Sequence, residues 1–120
     1  MDPEMAPHKR LLAWHECHKL VLAVYQATAS FPKHELYGLT SQLRRAAFSG
    51  AANIVEGASR SGRNEFRRFL DIALGSLAEV EYALELAVAL DYLKPEVYAS
   101  LDSQQHRAHF LTLRLKSSMR

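Results

Sequence analysis

Apolar residues recur along this chain at intervals of three and four, the spacing of amphipathic helices, in four separate segments. The first segment places Leu11, Trp14 and Val21 on one stripe. It stops before Pro32, because a residue that precedes proline avoids the helical conformation. The pattern therefore predicts a first helix over residues 9–30.

The three later segments repeat the helical period and predict helices over about 40–58, 62–91 and 95–116. Pro95 suits the first residue of the last helix, where its missing N–H is harmless. No segment shows the alternation of a strand, and short connections make consecutive helices antiparallel neighbours. We therefore predict an all-α fold, an antiparallel up-down-up-down four-helix bundle over residues 9–116, with flexible ends at 1–8 and 117–120.

The second and third predicted helices carry signs of unusual packing. Small residues such as Ala46, Ala47 and Gly50 dominate the second helix, which lets another helix approach its backbone closely. The third helix has apolar residues outside its core stripe, among them Leu74 and Leu86. Since one partner helix does not need so wide an apolar arc, we expect a second surface to cover it, as in a self-assembled protein.

Composition limits the class of protein. At 120 residues the chain makes one domain, and its single cysteine, Cys17, excludes an intramolecular disulfide. The first ten residues do not resemble a secretion signal, and no apolar run approaches the roughly 20 residues that span a bilayer. We therefore expect a cytoplasmic protein.

Charge is distributed unevenly, although the net charge is only +2. Residues 37–70 hold six arginines against two glutamates, whereas residues 71–91 hold five acidic residues and no lysine or arginine. We expect the turn between the second and third helices to gather the arginines near one end of the bundle, where they suit phosphate oxygens. The alternative is pairing with Glu56 and Glu65, or an ordinary solvated face. The arginines are Arg44, Arg45, Arg60, Arg63, Arg67 and Arg68.

Three polar residues, Gln42, Asn53 and Glu56, lie on a helix otherwise rich in small apolar residues. We interpret them as a structural polar network that fixes helix register, or as a subunit contact, because polar groups in packed interfaces need hydrogen-bond partners. The alternative interpretation is a binding site shared with Arg45.

The sequence gives little support for a metal site or a catalytic site. A zinc site needs three or four converging ligands, and the histidines converge only if the ends of the first and last helices align. The third helix carries several glutamates, but a Glu-x-x-His motif for a di-iron site is absent. No serine has a recognisable base nearby in sequence. We therefore expect no catalytic residues, no metal and no cofactor. The candidate metal ligands considered are His15, Cys17, His18, His106 and His109.

Specific motifs resemble a known family. The runs YGLTSQLRRAA, AANIVEG and RFLDIALGSLAEVE, with HKLVLAVY earlier, are similar to the four-helix-bundle proteins encoded by intervening sequences of bacterial 23S rRNA genes. These are also called S23 ribosomal proteins. The similarity covers about residues 10–93. One departure is Gly50-Ala51, which stands where the family often has proline, so a kink there is in question.

The resemblance implies a left-handed bundle assembled as a homopentamer. It also implies a distant similarity to the accessory variability determinant of diversity-generating retroelements, a basic protein that works with a reverse transcriptase and nucleic acid. The family supplies no settled activity.

Our functional hypothesis is a non-enzymatic, self-assembling helical bundle that binds RNA or a ribonucleoprotein through the basic surface around the turn between the second and third helices. The alternative is a protein-interaction scaffold whose basic turn docks an acidic protein partner. A metal- or small-molecule-binding bundle is a remote third hypothesis.

Overall fold

A computed structural model describes residues 5–119, and most of these residues are helical. Over those residues it contains four α-helices and no strand. The helices are α1 (Leu12–Thr28), α2 (Leu39–Ala58), α3 (Arg63–Ala89) and α4 (Pro95–Ser117), and short 3-10 turns occur at Pro7–Arg10 and Lys33–Glu35.

The first helix is shorter than the 9–30 expected from its apolar period. Pro7–Arg10 form a 3-10 turn, after which Leu11 is extended with φ −101° and ψ 120°. The N–H of Lys9 bonds to the Ala6 carbonyl at 3.0 Å, a three-residue bond that does not propagate into an α-helix. Of the ends predicted to be flexible, residues 1–4 and 120 lie outside the described residues.

The start of α2 is stabilised by a side chain that precedes the helix. The Leu39 N–H donates to the Glu35 carboxylate at 3.0 Å, and the Tyr92 hydroxyl donates to the other carboxylate oxygen at 2.9 Å. The hydrogen bond from Leu39, and to a smaller extent the hydrogen bond from Tyr92, holds the pKa of Glu35 below its usual range. The loop before α2 and the turn before α4 are thereby joined.

The helices enclose one apolar core. α2 packs on α3, α3 on α4, and α1 on both α4 and α2, while no such contact crosses between α1 and α3 or between α2 and α4 in the described part of the chain. Every helix contributes apolar residues to the core, including Leu20, Leu43, Leu77 and Leu101. Burial of such side chains is the main stabilising contribution to a domain of this size.

The small residues of α2 lie where α3 comes closest. A Cβ added to Gly50 would stand 3.1 Å from the Leu77 side chain. A Cβ added to Gly57 would stand 2.9 Å from both Phe66 and Phe69. The close approach of the two helices therefore favours glycine at position 57.

Within residues 5–119, the helices lack the combined length and apolar character needed to cross a membrane.

Candidate nucleic-acid interface

The six candidate arginines form two groups rather than one. Arg44 and Arg45 lie in the second turn of α2, whereas the other four lie in or after the connection to α3. At 1.5 Å per residue, Arg44 lies about 21 Å along α2 from Ala58, the last residue of the helix, and Arg60 follows in the connection. This corrects the expectation that the turn gathers all six near one end, because a continuous helix separates them.

The second group, which we call the basic turn, comprises Arg60, Arg63, Arg67 and Arg68 around the start of α3. The guanidinium groups of Arg60 and Arg68 lie over the ring of Phe69, at 5.2 and 4.5 Å from its centroid. The Phe69 ring is itself buried against the bundle. The ring therefore holds two cationic groups at one place on the surface.

Two arginines of the basic turn also have acidic partners. Arg60 pairs with Glu56, and Arg68 pairs with Glu65, each at 3.1 Å. The hydrogen bond from Arg68 lowers the pKa of Glu65. The pairing expected as an alternative is therefore present for these two arginines, and residues 56–68 of the sequence hold four arginines and two glutamates.

The first group, Arg44 and Arg45, lies on another part of the bundle. Arg44 Nε donates to Thr28 Oγ1 at 2.8 Å, and its guanidinium lies 4.7 Å over the ring of Tyr25. These contacts join α2 to the end of α1. Arg45 is exposed beside it and lines, with Arg44, a groove of about 670 Å³.

The predicted polar set is not one network. Asn53 Nδ2 donates to the Ser49 carbonyl at 2.8 Å and to its hydroxyl at 3.0 Å, and that hydroxyl bonds to Ser76 Oγ on α3 at 2.7 Å. Glu56 instead pairs with Arg60, and Gln42 lies exposed in the groove. The hydrogen bond between Ser49 and Ser76 was not predicted, because a serine that faces another helix has no signature in sequence.

An apolar groove between α2 and α3 continues the first groove, because Gln42, Ala46 and Glu79 line both. Its volume is about 440 Å³, and its lining includes Gly75 and Tyr82. The Tyr82 side chain is 66% exposed. Leu86, expected to lie outside the core stripe, lines the groove and packs on the core as well.

A sequence model described as 23S rRNA-intervening sequence protein matches residues 9–112. The chain belongs to this family.

Structural comparison agrees with the family at the level of fold. A crystal structure of a protein with unknown function from the S23 ribosomal protein family, from Bacteroides thetaiotaomicron, matches with a TM-score of 0.78. The match is 23% identical and covers 87% of this chain and 97% of that chain. No curated protein matches this chain in sequence. At that identity the structural likeness concerns the fold alone.

This 23S rRNA-intervening sequence protein also contains a buried carboxylate that sequence reasoning missed. The Glu16 side chain is 3% exposed and contacts Lys19 at 2.9 Å and Arg107 at 2.6 Å. The hydrogen bond from Lys19, followed by the charge of Arg107, holds the pKa of Glu16 below its usual range although burial opposes it. The pair across α1 and α4 could not be found from helical period, which describes one helix at a time.

The histidines of this family member do not converge as one group. His18 stacks on Trp14 at 4.9 Å, and His15 meets the same indole edge-on at 5.0 Å. His106 lies instead against α3, 2.6 Å from a Glu81 oxygen.

The cysteine is enclosed in the core. Cys17 is fully buried, 3.8 Å from Thr112 Oγ1, and burial raises the pKa of its thiol to about 11. A thiol with so high a pKa is a poor nucleophile at neutral pH.

Proposed function

We propose that this protein is a non-enzymatic, self-assembling helical bundle that binds RNA, alone or within a ribonucleoprotein, through the basic turn. The observation that carries the proposal is the placement of four arginines around one connection between helices, two of them held over the ring of Phe69. Guanidinium groups bind phosphate oxygens in bidentate geometry, and binding releases counterions from the nucleic acid.

The contacts of the basic turn favour exchange of its partners. Arg60 and Arg68 are 46% and 57% exposed, and their carboxylate partners are 50% and 48% exposed. Ion pairs so open to water contribute little stability, so a phosphate can replace a carboxylate at small cost. Phe69 meanwhile keeps both guanidiniums over one ring, which reduces the ordering required on binding.

We also propose that the four helices form an antiparallel bundle. Contacts pair Ser49 with Ser76 and Gly57 with Phe66, which supports an antiparallel arrangement of α2 and α3. Left-handed bundle geometry, a cytoplasmic location and a distant relation to the accessory variability determinant of diversity-generating retroelements stay predictions.

RNA binding is tested by fluorescence anisotropy with a short unstructured RNA over a series of salt concentrations. We expect Arg67→Ala, and separately Arg63→Ala, to weaken binding similarly for different RNA sequences and to reduce the salt slope by about one unit per phosphate contact. Lys33→Ala is the control, because Lys33 is exposed in the 3-10 turn before α2, at the end of that helix opposite the basic turn. Unchanged affinity in both test variants, with folding intact by circular dichroism, would remove this surface.

Competition separates RNA from an acidic protein partner. Added non-specific RNA should displace the labelled RNA, whereas a poly-glutamate peptide of equal charge should displace it much less well. The reverse order would favour the scaffold hypothesis. Arg45→Ala tells whether the groove group takes part, since Arg45 lies far from the basic turn along α2.

Self-assembly, which we propose to be pentameric, is supported by the apolar groove between α2 and α3 and by the exposed side chains of Phe48 and Tyr82 at its margins. Light scattering should give about five times the chain mass of 13.6 kDa. Tyr82→Glu should lower the assembled mass without unfolding the chain, because this ring is exposed in the single chain. A polar substitution at the half-buried Leu86 is less informative, since Leu86 also packs on the core. An intact oligomer in Tyr82→Glu contradicts this interface.

A further inference from the structure

Three potential metal ligands meet on the surface between α3 and α4. His106 Nε2 lies 2.6 Å from Glu81 Oε2, and His106 Nδ1 lies 3.7 Å from Asp102 Oδ2. One ligand atom from each of the three residues falls within 4.8 Å of the others. Helical spacing explains why Asp102 lies near His106, because the two residues are four apart on α4 and share a face.

We propose that Glu81, Asp102 and His106 form a binding site for a divalent transition-metal ion of the zinc class. α4 supplies two ligands and α3 supplies the third, as in metal sites built between facing helices of bundles. Three protein ligands leave a further position for water. The imidazole ligand favours zinc, nickel or cobalt over magnesium or calcium, which prefer all-oxygen sites.

The electrostatics of this surface suit a cation. Glu85 lies one helical turn beyond Glu81 on α3, and Asp102 adds a further negative charge from α4. A divalent ion would place more positive charge between these carboxylates than a protonated imidazole does.

Small side-chain rotations would complete the site. Zinc bonds of roughly 2.0–2.2 Å in tetrahedral geometry separate ligand atoms by about 3.3 Å. The Nε2–Oε2 separation of 2.6 Å is shorter than that value, and the three ligand atoms all lie within 4.8 Å of one another. The two carboxylates approach different ring nitrogens, so an ion on Nε2 requires Asp102 to rotate toward it. The His106 and Glu81 side chains are 57% and 40% exposed, which leaves room for this movement.

Isothermal titration with zinc chloride tests the site. We expect one ion per chain with micromolar affinity, and we expect His106→Gln or Glu81→Gln to weaken the affinity at least tenfold. Asp102→Asn should weaken it in the same direction. His109→Gln is the matched control, because His109 lies on the same helix outside the cluster and should leave the affinity unchanged. Circular dichroism verifies that each variant keeps its helices.

A stability measurement gives a second readout, because an ion that bridges α3 and α4 binds only the folded chain. Zinc should raise the melting temperature of the wild type and of His109→Gln, and should raise that of Glu81→Gln by less at the same zinc concentration. Absence of zinc binding at millimolar concentration overturns the proposal. Equal affinity in the wild type and His106→Gln also overturns it and points to the histidines around Trp14 instead.

Discussion

Replacing Gly57 by alanine should destabilise the fold, because the new methyl group meets atoms that cannot easily move. Its Cβ would lie 2.9 Å from Phe66 Cδ1, 2.9 Å from Phe69 Cβ and 3.3 Å from the Phe66 carbonyl oxygen. Two of these atoms belong to the backbone or are bonded directly to it, so α2 and α3 must separate. Overpacking of this kind costs about 1–3 kcal/mol. Because backbone-anchored atoms must move, the overpacking cost should lie in the upper part of that range, about 2–3 kcal/mol.

Alanine also has a compensating advantage at this position. The helix propensity of alanine is better than that of glycine by up to about 1 kcal/mol, so the net loss should be about 1–2 kcal/mol. The entropy of unfolding is roughly 2.1 cal/mol/K per residue, or about 0.25 kcal/mol/K for a chain of 120 residues. The melting temperature should therefore fall by about 4–8 °C.

Thermal unfolding followed by circular dichroism, at one fixed protein concentration, measures the effect. Gly75→Ala is the matched control, because it exchanges the same residues inside α3 where a Cβ meets nothing within 4 Å of the single chain. Both variants are compared in the Tyr82→Glu background, because Gly75 lines the groove proposed for self-assembly. This control should stabilise the chain by up to about 1 kcal/mol. In the background Phe66→Ala, Gly57→Ala should cost less but still destabilise, since Phe69 and the backbone oxygen remain.

A Gly57→Ala variant as stable as the wild type, beside a stabilised Gly75→Ala, would refute the reasoning. The two helices would then not approach each other at Gly57 as closely as the structure shows. The result matters for the basic turn, because Phe69, which carries Arg60 and Arg68, is one of the residues that the new methyl group would displace.

Three further predictions concern polar groups in the core. Glu16→Gln should cost about 1–2 kcal/mol at pH 7, toward the lower end because Lys19 and Arg107 can regain water. Since the folded pKa of Glu16 is depressed, its contribution exists above the unfolded pKa, near 4.5, and is lost as pH falls through the folded value. Urea unfolding should show the difference from wild type shrinking below pH 4.5, and a constant difference would contradict this origin. Cys17 should react with a thiol reagent far more slowly in the native protein than in urea, because it is buried and its pKa is about 11. Equal rates would show that the core opens readily. Gln105→Met should leave stability within about 1 kcal/mol of the wild type, because it removes a buried Oε1 that lacks a partner among the described residues but also loses the Nε2 hydrogen bond to the Leu77 carbonyl at 2.8 Å. A larger loss in denaturant titrations would contradict this balance of the two effects.

The candidate site was predictable only in part. The excess of arginine over residues 37–70 is visible in the sequence, and so is the turn that carries four of the six. The separation of Arg44 from that group follows once α2 is known to be continuous through Gly50. The stacking of Arg60 and Arg68 on Phe69 could not be foreseen, because it depends on how the turn folds back on α3.

The sequence by itself determined the number of helices and most of their boundaries, because those depend on local signals. Proline at 32 and 95 and the polar connection at 59–62 mark three ends that the structure shows within a few residues. Family membership is also determined from the sequence, because the family model matches residues 9–112. Tertiary structure alone decided which polar groups meet between helices, such as Ser49 with Ser76, Glu16 with Arg107 and Glu81 with His106. Such pairs depend on the rotation and axial position of one helix against another, and packing of the whole core sets both.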